Sequence, residues 1–254
     1  MGLFDSHVHL DDSRFDGDRE ELISSLSEDG IDYVVNIGAD LQTSKNSIEL
    51  SEKYSFVYAT VGVHPHEVKS MTEDDIDLLR ELSTHDKVVA IGEIGLDYYY
   101  DNSPRELQKK WFIRQIELAN ECNLPIVIHS RDAVQDTYDI LEQHNRSSRL
   151  LIHCFSQSLE MAKKYVNMGA FIALGGAITF KNAKHLLDVA KFIPMEHLLL
   201  ETDCPYLTPE PFRGKRNDPS KVRFVAQKIA ELKNIDFTEV VDRTNYNARM
   251  FYGI

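Results

Sequence analysis

The chain has 254 residues, a formal net charge of −13 and a hydrophobic content of 43%. This hydrophobic content is sufficient for a large core and excludes an intrinsically disordered protein, and the absence of an apolar run of about 18 residues excludes a membrane span. The acidic charge argues against a protein that coats nucleic acid through a basic face, but it leaves room for an enzyme that holds one or two phosphates locally.

The cysteine pattern and the N-terminal residues bear on the cellular compartment. Cys122, Cys154 and Cys204 are odd in number and form no Cys-x-x-Cys motif, which argues against a disulfide framework. The N-terminal segment lacks the basic region and apolar region of a signal peptide. The sequence therefore predicts a cytoplasmic protein that does not associate with membranes.

Strand-like and helix-like segments alternate from one end of the chain to the other. Runs rich in Val, Ile, Leu and Ala predict strands that are buried on both faces of a parallel sheet. The eight predicted strands are Leu3–His9, Tyr33–Ile37, Val57–Val63, Val88–Glu93, Pro125–His129, Leu150–His153, Ala170–Leu174 and Leu198–Asp203.

Helical patterns lie between these strands and after the last one. Ser103-Pro104-Arg105-Glu106 predicts a helix start, with Ser103 as N-cap, Pro104 as the first helical residue and Glu106 as the partner in a capping box. Apolar residues at helical spacing predict two further helices near residues 220–232 and 238–250.

Eight alternating strand–helix units predict an α/β protein with a (β/α)8 barrel, as one domain over residues 1–254. The competing architecture is a doubly wound open sheet, whose site would draw on only two or three strands. Metal-type ligands follow five of the predicted strands, which favours the closed barrel and one metal site at its C-terminal mouth. The predicted ligands are His7, His9, Glu93, His129, His153 and Asp203.

The most specific of these signals is His7-Val8-His9. Side chains on a strand repeat every two residues, so both imidazoles face one way and Val8 faces the other. On an isolated surface strand this pattern would carry little meaning. Here it ends the first strand, and we favour a metal-binding role.

The two carboxylates are assigned different roles. Glu93 follows a core strand, where an ionised carboxylate is costly unless it is paired or bound to metal. A salt bridge is the alternative, and we favour a ligand whose two oxygens bridge two ions. Asp203 is nearer the barrel mouth than Glu201, so we predict that Asp203 is both a ligand and the general base, and that Glu201 orients a histidine or a water.

Candidate phosphate contacts lie outside the ligand set. His64 ends the third strand, and Arg213, Lys215 and Arg216 form the densest positive stretch, close after the last ligand. These residues are predicted to bind substrate. A plain loop histidine is the alternative for His64, and a plain solvated loop is the alternative for the cationic stretch.

The ligand set predicts hydrolysis by water that two divalent ions activate, with Asp203 accepting the proton. Imidazole ligands favour transition ions such as Mn²⁺ or Zn²⁺ over Mg²⁺, although availability can decide. The same set would also serve hydrolysis of an aminoacyl-tRNA ester or a small amide. A binding protein without turnover is a further alternative.

Six sequence segments together resemble TatD-family metal-dependent deoxyribonucleases, which belong to the amidohydrolase superfamily. The resemblance is carried by Phe4–Asp11, Gly62–His66, Gly92–Tyr98, Ile128–Arg131, His153–Ser156 and Glu201–Leu207, in the family's order. It implies a (β/α)8 barrel with a two-metal phosphodiesterase site that acts on DNA, typically as an exonuclease, with RNA as a further substrate to consider. It does not indicate the oligomeric state.

The resemblance also implies a distribution of roles over the ligands. His7 and His9 would bind one ion together with Asp203, and His129 and His153 would bind the other. Glu93 would bind at both ions, at the position where many amidohydrolases have a carboxylated lysine. His64 would face the phosphate, and the segment from Arg213 to Asn217 would match the family's loop after the last strand.

Overall fold

The computed structural model describes residues 1–254. Eight parallel strands alternate with helices and follow one another in a single sheet in chain order, which confirms the predicted (β/α)8 barrel. The strands are β1 (Leu3–Val8), β2 (Ile31–Asn36), β3 (Val57–Val61), β4 (Val88–Asp97), β5 (Ile126–Arg131), β6 (Leu150–Ile152), β7 (Phe171–Leu174) and β8 (Leu198–Leu200).

The helices connect successive strands, and two of them follow β8. The α-helices are α1 (Arg19–Ser25), α2 (Leu41–Lys53), α3 (Glu73–Leu82), α4 (Arg105–Cys122), α5 (Val134–His144), α6 (Leu159–Asn167), α7 (Lys184–Phe192), α8 (Val222–Lys233) and α9 (Phe237–Tyr252). No helix combines the length and the apolarity needed to cross a membrane.

The chain forms two compact units. The first comprises residues 1–36 and 154–254, and its sheet pairs β1 with β2 and β7 with β8 in parallel. Its core contains fully buried aromatic side chains, with the ring of Phe4 stacked on that of Tyr252 at 6.1 Å. The second comprises residues 37–153 and contains the parallel run from β3 to β6.

Strand β4 is longer than the sequence pattern predicts, because it continues four residues beyond Glu93 to Asp97. Its two glycines allow β5 to approach closely. At Gly95, where φ is +148°, a Cβ atom would lie 1.9 Å from the carbonyl oxygen of His129. Glu93 therefore lies inside the strand and not at its end.

The start of α4 differs from the predicted one. The helix begins at Arg105, Pro104 occupies the N-cap position, and no side chain caps the helix. The prediction of Ser103 as N-cap is wrong, because its hydroxyl donates instead to the carbonyl oxygen of His66 at 2.9 Å. Ser103 thus fastens the segment that follows β3.

Two buried glutamines of α4 hold the strand ends that carry polar residues. Gln108 accepts the N–H of Asp97 at 2.8 Å, and its amide donates to the carbonyl of the same residue at 3.1 Å. Gln115 makes the same pair of contacts to Val63, at 2.7 Å and 3.0 Å. Both side chains form hydrogen bonds with backbone groups at the downstream end of a strand, where the hydrogen bonds between neighbouring strands end.

Candidate metal centre

His7, His9 and Asp203 come together, and we call them the β1 group. The Nε2 atoms of the two histidines are 3.3 Å apart, and they lie 3.8 Å and 3.5 Å from Asp203 Oδ1. The His7 side chain is fully buried, while those of His9 and Asp203 are each 16% exposed. The alternation predicted for β1 therefore places both imidazoles against the predicted carboxylate.

Backbone hydrogen bonds fix Asp203 beside the end of β1. The Asp203 N–H donates to the carbonyl of His7 at 3.0 Å, and the His9 N–H donates to the carbonyl of Cys204 at 2.9 Å. Strand β8 itself ends at Leu200. These two hydrogen bonds and an isolated parallel bridge between Val8 and Cys204 continue the pairing with β1 beyond the end of β8.

Asp5 supports the β1 group and was missed by sequence reasoning. It is fully buried and accepts both the N–H and the hydroxyl of Thr202, at 2.9 Å and 2.6 Å. Burial raises its pKa well above the usual range, against the opposing effect of these hydrogen bonds. The available signal was its spacing, since Asp5, His7 and His9 share one face of β1 by the two-residue repeat.

His64, Glu93, His129 and His153 come together around one carboxylate oxygen, and we call them the β4 group. Oε1 of Glu93 lies 2.9 Å from Nδ1 of His129, 3.2 Å from Nε2 of His153 and 3.6 Å from Nε2 of His64. One donor atom from each of His64, Glu93 and His129 falls within 4.8 Å of the others.

Asp97 is a functional candidate that the sequence reasoning missed. Its Oδ2 atom lies 3.0 Å from Nε2 of His129 and 3.0 Å from Nε2 of His66. Its Oδ1 atom accepts the backbone N–H groups of Tyr99 and Tyr100 at 3.0 Å and 2.9 Å. Asp97 lies four residues after Glu93, so the two share a face by the two-residue repeat of a strand, but this relation holds only because β4 extends to Asp97.

Charges in the β4 group oppose the cost of burial. Burial raises the pKa of Glu93, but its interactions with the surrounding histidines, that with His153 first, outweigh burial and hold this pKa well below its usual range. Burial lowers the pKa of His129, but hydrogen bonds with Asp97 and Glu93 raise it overall. Burial, and then the charge of His129, lowers the pKa of His64 far enough to keep it neutral at pH 7.

The donor sets fit divalent metal ions. Imidazole nitrogens and carboxylate oxygens bonded at about 2.1 Å in a tetrahedral arrangement lie about 3.4 Å from one another. The donors of the β1 group are 3.3–3.8 Å apart, and Glu93 lies 2.9–3.6 Å from its histidines. Most residues of the two groups lie at or just beyond the downstream ends of strands, where the active sites of (β/α)8 enzymes lie, whereas Glu93 lies within β4.

The predicted phosphate-binding loop, Arg213–Asn217, is tied to the segment before Asp203. The buried amide of Asn217 donates to the carbonyl of Thr202 at 3.0 Å. Arg216 is already engaged, because its guanidinium pairs with Asp18 at 2.5 Å. Arg213 lies over the Phe180 ring at 3.8 Å and Lys215 is exposed, so these two carry the loop's available positive charge.

Comparisons with known proteins agree with this geometry. The family profile described as TatD related DNase matches residues 4–253. The chain is 47% identical over 253 residues to YabD of Bacillus subtilis, an uncharacterized metal-dependent hydrolase, with 99% of each chain covered. It is 36% identical over 257 residues to YcfH of Escherichia coli K12, which carries the same description, covering 99% of this chain and 96% of YcfH.

A solved structure extends this similarity to three dimensions. The crystal structure of YjjV, a TatD homologue from Escherichia coli K12, matches with a TM-score of 0.93 and 29% sequence identity. The match covers 99% of this chain and 98% of YjjV.

Proposed function

The chain belongs to the TatD family of metal-dependent hydrolases, and from this premise we propose that it is a divalent-metal-dependent phosphodiesterase that cleaves DNA as an exonuclease. RNA is the second candidate substrate. The observation that carries the proposal is the pair of carboxylate–histidine groups, most of whose residues lie at the downstream ends of strands. Such groups supply the ligands of hydrolytic two-metal sites.

We assign one ion to each group. His7, His9 and Asp203 would hold one, and Glu93, His129 and His153 would hold the other. Mg²⁺, Mn²⁺ and Zn²⁺ are the candidate ions, and the imidazole nitrogens favour the latter two. When bound, divalent ions supply Lewis acidity toward phosphoryl oxygens and lower the pKa of coordinated water.

The chain's own residues divide the remaining work. Asp203 is the carboxylate with partial exposure, at 16%, and it accepts the proton of the attacking water. Glu93 remains ionised because its pKa is held low, so it serves as a ligand and not as an acid. Neutral His64 can donate one hydrogen bond to a phosphoryl oxygen without carrying a charge that would repel the ions.

A direct assay of three bond types tests the proposal. The purified protein is incubated with Mg²⁺, Mn²⁺ or Zn²⁺ and with a labelled DNA strand, an RNA strand, an aminoacyl-tRNA or a small amide. We expect stepwise release of nucleotides from the DNA, stopped by a chelator and by the Glu93→Gln substitution. Asp188→Asn, a change of an exposed carboxylate on α7, is the matched control and should behave like the unmodified protein.

Two outcomes would overturn the proposal. Release of an amino acid or cleavage of the amide, without nucleotide release, would assign a different bond to the same site. Stoichiometric metal binding with no product from any substrate would assign a binding protein.

A further inference from the structure

Two neighbouring tyrosines after β4 are unusually exposed for large aromatic side chains. Tyr99 is 59% exposed and Tyr100 is 54% exposed. Their rings are perpendicular, with centroids 4.9 Å apart. Aromatic surface left in water is costly, and clustered exposed aromatic rings mark binding surfaces.

A cation without a carboxylate partner accompanies the two rings. Arg131, at the end of β5, is exposed, and its guanidinium carbon lies 4.1 Å from the ring centroid of Tyr99 and 4.8 Å from that of Tyr100. It makes no ion pair, so its charge remains available to an anion. The three residues Tyr99, Tyr100 and Arg131 are called the tyrosine platform below.

The tyrosine platform is fixed relative to the β4 group. Asp97 holds the backbone N–H groups of both tyrosines with one carboxylate oxygen and contacts His129 with the other. The Tyr100 ring also lies 5.4 Å from the ring of His66, which contacts the same oxygen of Asp97. One carboxylate thus sets the position of both a candidate ligand and the platform.

We infer that the tyrosine platform stacks nucleobases of the strand next to the phosphate that is cleaved, and that Arg131 contacts a neighbouring phosphate. This inference rests on the proposed function and names residues that position its substrate. Aromatic faces combined with a cation are how proteins hold an unpaired strand without reading its sequence, because every base presents a π-face.

The charge of the whole protein makes such a platform useful. A net charge of −13 repels a polyanion at long range. Affinity for a strand must then come from short-range contacts close to the ligands. Base stacking provides a short-range contact that does not depend on charge, and Arg131 provides a short-range contact that does.

The experiment pairs substitutions in the protein with removal of bases from the substrate. Binding of a fluorescent phosphorothioate oligonucleotide, which resists cleavage, is measured by anisotropy with Tyr99→Ala/Tyr100→Ala and with Tyr99→Phe/Tyr100→Phe. The same measurements use an oligonucleotide whose terminal nucleotides are abasic. Tyr246→Ala, which removes a tyrosine 57% exposed on α9, is the matched control.

We expect the effects of the tyrosine substitutions and of base removal on binding to be non-additive. The double alanine variant should bind the normal oligonucleotide roughly 5- to 100-fold more weakly, as expected for loss of base–aromatic stacking. It should bind the abasic one almost as the unmodified protein does. The double phenylalanine variant and Tyr246→Ala should leave binding unchanged. Arg131→Gln should lower the salt dependence of binding by about one unit of slope.

Equal losses on the normal and the abasic oligonucleotide would overturn base stacking, as would unchanged binding in the double alanine variant. Because binding is measured without turnover, this result is independent of whether the metal-loaded protein cleaves DNA. Absence of cleavage alongside a non-additive cycle would reject the proposed reaction and retain the platform.

Discussion

The β1 group and the β4 group use the same kinds of ligand but are assembled in different ways. In the β1 group, two histidines come from one strand, and backbone pairing places one carboxylate beside them. In the β4 group, three separate segments each bring one histidine to the same oxygen of Glu93. A local repeat places the two histidines of the first group, whereas its carboxylate and the whole second group depend on the pairing of distant segments.

The two groups also differ in their surroundings. The β1 group has a cationic loop tied to its carboxylate segment through Asn217, and the β4 group has the tyrosine platform tied to it through Asp97. A cationic loop therefore accompanies the β1 group, and exposed aromatic rings accompany the β4 group.

The largest expected effect separates proton transfer from ligation. Asp203→Asn should lower kcat by about 10²- to 10⁴-fold with a much smaller change in KM, because an amide cannot accept the proton of water at neutral pH. Turnover of a labelled strand is measured together with bound metal by mass spectrometry. Near-normal turnover in this variant would remove Asp203 from the mechanism, and loss of metal would reassign it to ligation alone.

The second effect tests whether metal binding by the β4 group needs the carboxylate of Asp97, which contacts His129. In Asp97→Asn, an amide nitrogen can replace the oxygen that faces His129, so the ring loses the partner that orients it. Metal affinity should fall by about 10- to 100-fold, the usual effect of losing such a partner. Calorimetric titration of metal into the variant and into the Asp188→Asn control measures this, and equal affinities in the two would assign Asp97 to loop structure only.

The elements and the two histidines of the β1 group could be predicted from the sequence because their signals are local. Apolar runs identify strands wherever both faces are buried, so all eight strands were found. The spacing of His7 and His9 already determines that they share a face.

The rest depends on contacts between distant segments. The role of Asp97 follows from the extension of β4 and from the ring orientation of His129, and neither has a local signal. Ser103 failed as an N-cap because a tertiary partner, the carbonyl of His66, takes its hydroxyl. Arg216 pairs with Asp18, which lies 198 positions earlier in the chain. The number of cationic residues in the loop therefore overestimates the positive charge that is available to a phosphate.

A third, smaller effect concerns the cationic loop. Replacing Arg213, Lys215 and Arg216 by alanine together should raise KM for an oligonucleotide and flatten its salt dependence, because fewer counterions are released. The structure assigns most of this effect to Arg213 and Lys215, with a slope change of about one for each. Arg216→Ala alone should change KM little, because its guanidinium is paired with Asp18. A small phosphodiester, measured in parallel, should be hydrolysed at nearly the same rate by every variant, and an equal loss on both substrates would make the loop structural.

The smallest effect concerns the ion pair between Arg14 and Asp12, which lies beside the β1 group. Arg14 pairs with Asp12 at 2.8 Å and covers the ring of Tyr206, whose centroid lies 6.1 Å from that of His9. Hydrogen bonds from Arg14 lower the pKa of Asp12 to about 2 against the effect of burial. Because the folded-state pKa is depressed, the stabilisation is present above the unfolded pKa, near 4, and is lost as pH falls toward 2.

Arg14→Gln should therefore reduce the free energy of unfolding at pH 7 by less than about 1 kcal/mol, since Arg14 is 45% exposed and solvent screens the pair. Urea unfolding of the metal-free protein with a chelator, at pH values from 7 to 2, measures the difference. The variant and the unmodified protein should converge as Asp12 becomes protonated. Asp12→Asn and the double variant complete a cycle that isolates the pair from the contact with Tyr206. A difference that persists undiminished at pH 2 would assign the effect to that packing contact. The ion pair between Arg14 and Asp12 would then make no measurable contribution to the free energy of unfolding.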